Sequence, residues 1–204
     1  MYARVASFEN VNPSVFDDLV GRVRERAGAG EGPPGAKAGL MLVDRESGRS
    51  LGVTFFDSEE VIREAEPAFE RMGDEIPEEV RGRRTSVETY EVTIFDVGEG
   101  AKAARVSSLD GDPSRFDEDL RFIRENIAPR VREIAGSKGV IALADRSSGR
   151  TKTITLWESG EALRESEESA NQLRENAAQE THARIAGVER YEVPWSIRLE
   201  EARV

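Results

Sequence analysis

The segment Asp44-Arg45-Glu46-Ser47-Gly48-Arg49 recurs as Asp145-Arg146-Ser147-Ser148-Gly149-Arg150, 101 residues further along the chain. The same spacing relates Thr54-Phe55-Phe56-Asp57-Ser58 to Thr155-Leu156-Trp157-Glu158-Ser159, and Val87-Glu88-Thr89-Tyr90-Glu91-Val92 to Val188-Glu189-Arg190-Tyr191-Glu192-Val193. Arg4-Val5 and Arg105-Val106 carry it to the start of each copy. Near the first helix the spacing drops to 100, where Pro13, Phe16 and Asp17 match Pro113, Phe116 and Asp117. Matches in one order over nearly the whole length mark a tandem duplication. The copies are read as residues 1–98 and 101–204, joined at Gly98-Glu99-Gly100.

Each copy spells the same elements. A short apolar strand opens it, Ala3 to Phe8 or Ala104 to Leu109. Asn12 or Asp112 then stands at an N-cap, with Pro13 or Pro113 at the first helical position. The helix stripe is Phe16, Leu19, Val20 and Val23 in one copy and Phe116, Leu120, Ile123 and Ile127 in the other. Pro129 should interrupt the second of these helices. The run from Gly28 to Gly35 reads as a mobile loop found only in the first copy. Two strands follow, joined by a hairpin in which Gly48 or Gly149 supplies a positive φ. Ser58 or Ser159 caps a second helix with acidic residues in its first turn. A last strand, around Val87 to Phe95 or Val188 to Val193, closes the unit. The order βαββαβ is ferredoxin-like. Apolar residues occupy both faces of the third strand, so one unit alone leaves a sheet face in need of cover.

Composition bounds the chemistry. The chain has 204 residues, 38% of them hydrophobic, with 40 acidic and 29 basic side chains and a net charge of -11. That balance argues against nucleic acid as the main partner, since phosphate binding needs concentrated basic surface. The longest apolar runs are far short of a membrane span and the N-terminus lacks a signal-peptide design, so the expectation is a soluble, cytoplasmic protein with no membrane partner. With no cysteine and one histidine, thiolate chemistry and histidine-cluster metal sites are excluded. Arginine outnumbers lysine and Asn, Gln and Met are scarce, which fits either high-GC coding or selection for heat resistance.

The Asp-Arg-x-Ser-Gly-Arg turn, the apolar strand after it and the sequence Trp157-Glu158-Ser159-x-Glu161 opening a helix resemble the dimeric α+β barrel superfamily, specifically antibiotic biosynthesis monooxygenase-like domains. The resemblance covers both copies, all but the tail from Pro194 to Val204. It implies an α+β fold of two tandem ferredoxin-like units forming an intramolecular barrel, a covalent pseudo-dimer that a further homodimer could enlarge. It implies as activities cofactor-independent oxygenation of phenols, haem degradation, isomerisation, or none known. The haem-degrading branch places a Trp at the end of the third strand, matched by Trp157. It also needs a helical His and a first-strand Asn, where this chain has Glu66 and Glu167, Ser7 and Ser108. No cofactor and no metal are therefore expected.

The oxygenase branch needs an apolar pocket with a few polar groups to hold and deprotonate a phenol. Candidate substrate-binding walls are Phe16, Met41, Phe55 and Phe69 in the first copy, with Met72, and Phe116, Leu156, Trp157 and Leu173 in the second, with Phe122. Candidate catalytic groups are His182, Asn171 and Arg105; Arg4, Tyr90 and Tyr191 are further polar candidates. Plainer readings stand beside these. Trp157 also reads as a core filler. His182 suits a helix C-terminus through the dipole, and Tyr90 and Tyr191 recur as packing residues. Arg45, Arg49, Arg146 and Arg150 read as surface pairs. Glu161, Glu165 and Glu168 lack the partners of a metal site. Two functions follow: a small-molecule-transforming enzyme of the monooxygenase-like kind, or a non-catalytic barrel that binds a small apolar or aromatic molecule or serves a stress or assembly role.

Overall fold

A computed structural model describes residues 1–198. The first βαββαβ pass runs β1 (Tyr2–Glu9), α1 (Pro13–Gly28), β2 (Ala38–Asp44), β3 (Arg49–Phe56), α2 (Glu59–Glu75), a single turn α3 (Glu78–Arg81) and β4 (Arg83–Val97). The second runs β5 (Ala103–Asp110), α4 (Phe116–Phe122), α5 (Ala128–Glu133), β6 (Ser137–Asp145), β7 (Arg150–Trp157), α6 (Gly160–Glu165), α7 (Glu167–Glu180) and β8 (Arg184–Arg198). The hydrogen-bonded strand order is β1-β3-β2-β8-β5-β7-β6-β4, a closed antiparallel barrel in an α+β chain. The ferredoxin-like order expected from the repeat is therefore present twice.

Two compact units make up the chain: Met1–Tyr90 with the chain from Val193 onward, and Glu91–Glu192. Their division falls inside β4 and β8. These strands are 15 residues each, much longer than the apolar cores at Val87 to Phe95 and Val188 to Val193 suggest. In the first unit β3 lies between β1 and β2, pairing Val5 with Val53 and Leu40 with Val53. In the second β7 lies between β5 and β6, and β5 also pairs with the first part of β8, Ala104 opposite Tyr191. The segment after Pro194, read from sequence as a tail, begins inside β8. A proline usually ends a strand, but Pro194 still accepts a hydrogen bond at its carbonyl, from Arg24 at 3.4 Å.

The local signals act as expected. Asn12 Oδ1 accepts from the Ser14 amide at 3.1 Å and Asp112 Oδ1 from the Ser114 amide at 2.8 Å. Ser58 and Ser159 cap through the amides of Val61 and Ala162. Gly48 and Gly149 adopt φ of 67° and 73° in the two hairpins. The second copy departs from the first in its helices. Before Pro129 the chain widens into a π-helical turn over Ile123–Ile127, and α5 restarts at Ala128. Proline has no N–H to continue the helical ladder, so the restart places it in a first turn where none is needed. The helix after β7 also breaks, at Ser166, whose hydroxyl donates to the Leu163 carbonyl at 2.7 Å. In the first unit the corresponding helix is continuous over 17 residues.

Candidate functional site

Strand alternation sorts each sheet into two faces. In the second unit the helix-covered face carries Arg105, Ser107 and Leu109 from β5, Thr151, Thr153, Thr155 and Trp157 from β7, and Val140, Ala142 and Ala144 from β6. All of these line a cavity of about 130 Å³ between the sheet and the helices. Its helical wall is mostly apolar, with Phe116, Ile127, Val131 and Leu173 among it, and carries two charged groups, Asp119 and Arg174. In the first unit the equivalent face and helices bound a cavity of about 650 Å³, walled by Phe8, Phe16, Met41, Phe69, Met72 and Trp195.

The two cavities share a buried arginine at the same strand position. Arg4 is 3% exposed and Arg105 1% exposed. Arg4 donates through Nε and Nη2 to both carboxylate oxygens of Glu66, at 2.9 and 2.7 Å, and its guanidinium lies 3.9 Å from the Phe69 ring centre. This hydrogen bond holds the Glu66 carboxyl below its ordinary range. Arg105 distributes its donors differently. Nη2 bonds the Leu163 carbonyl and Glu167 Oε2, both at 2.8 Å, and Nη1 and Nη2 both reach Ser166 Oγ at 3.2 Å. Its Nε–H is buried and finds no hydrogen-bond partner among the described residues. The break of the helix at Ser166 exposes the carbonyl and hydroxyl that Arg105 uses.

Charge balance differs as well. Arg26, Arg81, Arg83 and Arg84 also line the first cavity. Arg26 pairs with Glu75, Arg83 with Glu9 at 2.8 Å and Arg84 with Glu70 at 3.0 Å. Arg81 donates to the carbonyls of Gly73, Ile76 and Gly82. In the second unit Glu167 is shared between Arg105 and Arg190. Burial works against ionisation of Glu167, but the hydrogen bonds from Arg190 and Arg105 outweigh it and hold the carboxyl low. Arg174 has neutral partners, Ser107 Oγ at 3.4 Å and Asn171 Oδ1. Burial pushes the Arg105 and Arg174 guanidiniums below their ordinary value. Asp119, also on this wall, is pushed up by burial, with Arg115 opposing.

Of the sequence candidates, Phe16, Met41, Phe69 and Met72 line the first cavity, and Arg105, Phe116, Trp157 and Leu173 line the second. Phe55 and Leu156 are each 1% exposed but sit on the opposite face of their strands, so they face neither cavity. Phe122 packs at the edge of the Ile127–Val131–Leu173 cluster without lining the cavity. Asn171 orients Arg174 rather than reaching the cavity itself. His182 is exposed and off the wall. It follows the end of α7 with a φ of 54°, which turns the chain out of the helix. Tyr90 and Tyr191 are buried and line neither cavity. Sequence reasoning missed Trp195, Arg174 and Asp119, and also the glycines that make room in the first unit. A side chain at Gly52 or Gly73, both on the wall, would meet nothing within 4 Å.

The donor set does not fit haem ligation at the positions the resemblance assigns, because Glu66 and Glu167 are bonded to arginines. Among the described residues no group of three or more His, Asp or Glu side chains converges on a metal position, and no helix is long and apolar enough to cross a membrane.

No family model matches the chain. The uncharacterised protein Rv2558 of Mycobacterium tuberculosis (strain ATCC 25618 / H37Rv) is 35% identical over 96 residues, 47% of this chain and 39% of that protein, so the chain spans well under half of this relative. The uncharacterised protein Rv2557 of the same strain is 22% identical over 209 residues, taking in 100% of this chain and 90% of the relative. Among solved structures, an anthrone oxidase-like protein superposes with a TM-score of 0.66 at 15% identity, covering 100% of this chain and 96% of its own. A ferredoxin-fold protein of Listeria monocytogenes 4b F2365, related to antibiotic biosynthesis monooxygenases, gives 0.53 at 10% identity, with 95% of each chain covered. A haem-degrading enzyme of Listeria monocytogenes also gives 0.53 at 10% identity, over 94% of this chain and 99% of that one. At these identities the likeness is one of fold: the chain has the fold of antibiotic biosynthesis monooxygenase-like proteins over nearly its whole length.

Proposed function

We propose that this chain takes up a small, largely apolar aromatic molecule in the cavity of its first unit and transforms it in the manner of a cofactor-independent oxygenase, with no resident metal or flavin. The observation that carries this reading is the cavity of about 650 Å³ walled by Phe8, Phe16, Phe69 and Trp195. That volume lies inside the range of roughly 300–1,000 Å³ typical of small-molecule sites, which are mostly apolar with few polar groups. An electron-rich phenolate can itself reduce dioxygen, one oxygen atom entering a ring carbon as a carbonyl and the other leaving as water. The protein's share is to hold the ring, exclude water and steady the developing oxyanion, for which Arg4 is the nearest candidate. The shared fold of an anthrone oxidase-like protein supports this chemistry.

A second reading is a binding barrel without catalysis. It is favoured by one specific feature: the arginines on this wall are all engaged by carboxylates or carbonyls. Residues 1–98 and 101–204 are taken as two copies of one ancestral unit, forming a pseudo-dimer in one chain. The net charge of -11 supports a small molecule rather than nucleic acid as partner, and the lack of a membrane-length apolar helix among the described residues is compatible with the cytoplasmic location we propose.

Titration of the chain with 1-naphthol, followed by tryptophan fluorescence in the parent and in Trp195→Phe to isolate the Trp195 signal, and by an oxygen electrode, tests both readings. Quenching with oxygen uptake is the expected result. Quenching without uptake leaves the binding barrel, and absence of quenching overturns the site. Gly52→Leu fills the cavity and should abolish both signals while leaving the fold intact.

A further inference from the structure

The second unit's cavity differs from the first in kind. Arg105 stands on its wall, 1% exposed, with a buried Nε–H that has no partner among the described residues. Arg174 stands on the same wall and is bonded to neutral groups, Ser107 and Asn171. Guanidinium groups remain charged at neutral pH. The carboxylate that Arg105 meets, Glu167, also serves Arg190. Asp112 and Asp119 complete the charged lining, and both are engaged: Asp112 caps the Ser114 amide, and Asp119 pairs with Arg115 at 3.4 Å. Of the two arginines only Arg105 hydrogen bonds to a carboxylate, Glu167, which also serves Arg190, while Glu167 and Glu175 act on Arg174 through space; both stand beside the apolar wall of Ile127, Val131 and Leu173. A buried donor left unpaired is costly, and a charge-assisted bond to an anion is among the stronger ways of satisfying it.

We infer that the cavity of the second unit is a binding site for a monocyclic aromatic carboxylate, with benzoate as its simplest form. The carboxylate accepts from Arg105 Nε and from Arg174, and the ring lies against the apolar wall. Size sets the ring count. At about 130 Å³ the cavity is close to the engineered apolar void of ~150 Å³ that admits benzene, so one ring fits and two fused rings do not. This site is independent of the one proposed in the first unit.

Isothermal titration calorimetry of the full chain with benzoate, benzamide and 2-naphthoate tests the assignment. Benzoate is expected to bind at millimolar concentration or below, benzamide at least roughly tenfold more weakly because it has the shape without the charge, and 2-naphthoate not at all. Arg174→Met, on the rim of the core and the safer variant to fold, should weaken benzoate by about tenfold or more. Arg105→Lys, checked for folding by circular dichroism, should do the same. Gly52→Leu should leave benzoate binding as it is while removing the 1-naphthol response, which keeps this site distinct from the other. The inference is overturned by equal affinity for benzoate and benzamide, by no binding at millimolar benzoate, or by parent-like benzoate affinity in Arg174→Met. Loss of benzoate binding in Gly52→Leu would place the ligand in the first unit and overturn it too.

Discussion

The two units hold the same strands in the same order, yet the space between sheet and helices has been furnished in opposite ways. Where the first unit has Gly52 and Gly73, the second has Thr153 and Arg174; where the first has Leu19 and Ala6, the second has Asp119 and Ser107. Gly52, Gly73 and Ala6 leave volume in the first unit, and Asp119 and Arg174, with the hydroxyls of Ser107 and Thr153, bring charge and polarity to the second. The arginine common to both, Arg4 or Arg105, is fully matched by one carboxylate in the first and spread over a carbonyl, a hydroxyl and a shared carboxylate in the second. A duplicated scaffold lets the backbone stay constant while the walls diverge, so the copies need not do the same work.

The largest effect should come from the aromatic at the end of the third strand. Trp157 is fully buried and its indole N–H donates to Thr155 Oγ1 at 3.1 Å. Trp157→Ala is expected to cost about 3–5 kcal/mol in urea unfolding, through lost burial and the cavity left behind. Trp157→Phe restores the residue type that Phe56 supplies in the first unit. It should cost much less and enlarge the second cavity enough to admit 2-naphthoate. If it leaves ring-size selectivity unchanged, wall volume is not what separates the copies.

The ion pairs give the next test. Among the described residues the Arg4 guanidinium hydrogen bonds only to Glu66, so Glu66→Gln strands a buried cation. The usual penalty for breaking a buried pair is about 3–5 kcal/mol, and the 39% exposure of the Glu66 side chain trims this to roughly 2. Glu167→Gln should cost only about 1 kcal/mol, since Arg105 keeps Leu163 O and Ser166 Oγ. Equal costs by chemical denaturation would mean that the two arginines are held alike after all.

Much of this architecture was legible before any coordinates. The repeat, the caps at Asn12, Asp112, Ser58 and Ser159 and the hairpin glycines are local chemistry, and local chemistry is written in short windows of sequence. Arg45 with Asp17 and Arg146 with Asp117 also proved to be the surface pairs their neighbours suggested. The walls of the cavities were half legible: Phe16, Phe69, Phe116 and Trp157 were found because large apolar residues on a predicted helix or strand end are conspicuous. Phe55 and Leu156 were misplaced by one residue of strand phase, which reverses the face. Trp195 was lost because Pro194 looked like a strand end. Gly52 and Gly73 could not be read as a pocket, since an absent side chain signals space only once its surroundings are known. Arg174 and Asp119 lie in charge-rich helical sequence that carries no sign of a pocket, and only packing places them, half-buried, on the cavity wall.

Gly73 offers a smaller test of the same contrast. It lies within α2, and a Cβ there would meet nothing within 4 Å. Gly73→Ala should therefore stabilise the chain by about 0.5–1 kcal/mol through the unfolded state while narrowing the first cavity only slightly. Its counterpart Arg174→Ala opens space in the second unit but removes a charge, and should lower benzoate affinity without a comparable gain in stability. A loss of stability in Gly73→Ala, measured by thermal unfolding, would show that the glycine is needed for more than volume.

The smallest effect belongs to the hairpins, where the copies differ by a single hydroxyl. Asp145 accepts from the Ser147 amide at 3.0 Å, Ser147 Oγ at 2.6 Å and Ser148 Oγ at 2.5 Å. In the first copy Glu46 stands in place of Ser147, so Asp44 accepts from two amides and the one hydroxyl of Ser47. The two serine hydroxyls bring the Asp145 carboxyl from its ordinary 3.8 to about 2. Asp44 is lowered too, with burial working against its bonds from Ser47. A carboxyl whose folded value lies below its unfolded one stabilises the fold above the unfolded value, and that contribution is lost as pH falls through the folded value. The contribution of Asp145 should therefore be complete near pH 5 and fade between about 3.8 and 2. Asp145→Asn, compared with the parent by urea unfolding at both ends of that window, should flatten the acid limb slightly, and Asp44→Asn less so. Ser147→Glu, which gives the second hairpin the chemistry of the first, should fall between them; an acid limb identical to the parent in all three variants would remove the hairpin from the list of differences between the copies.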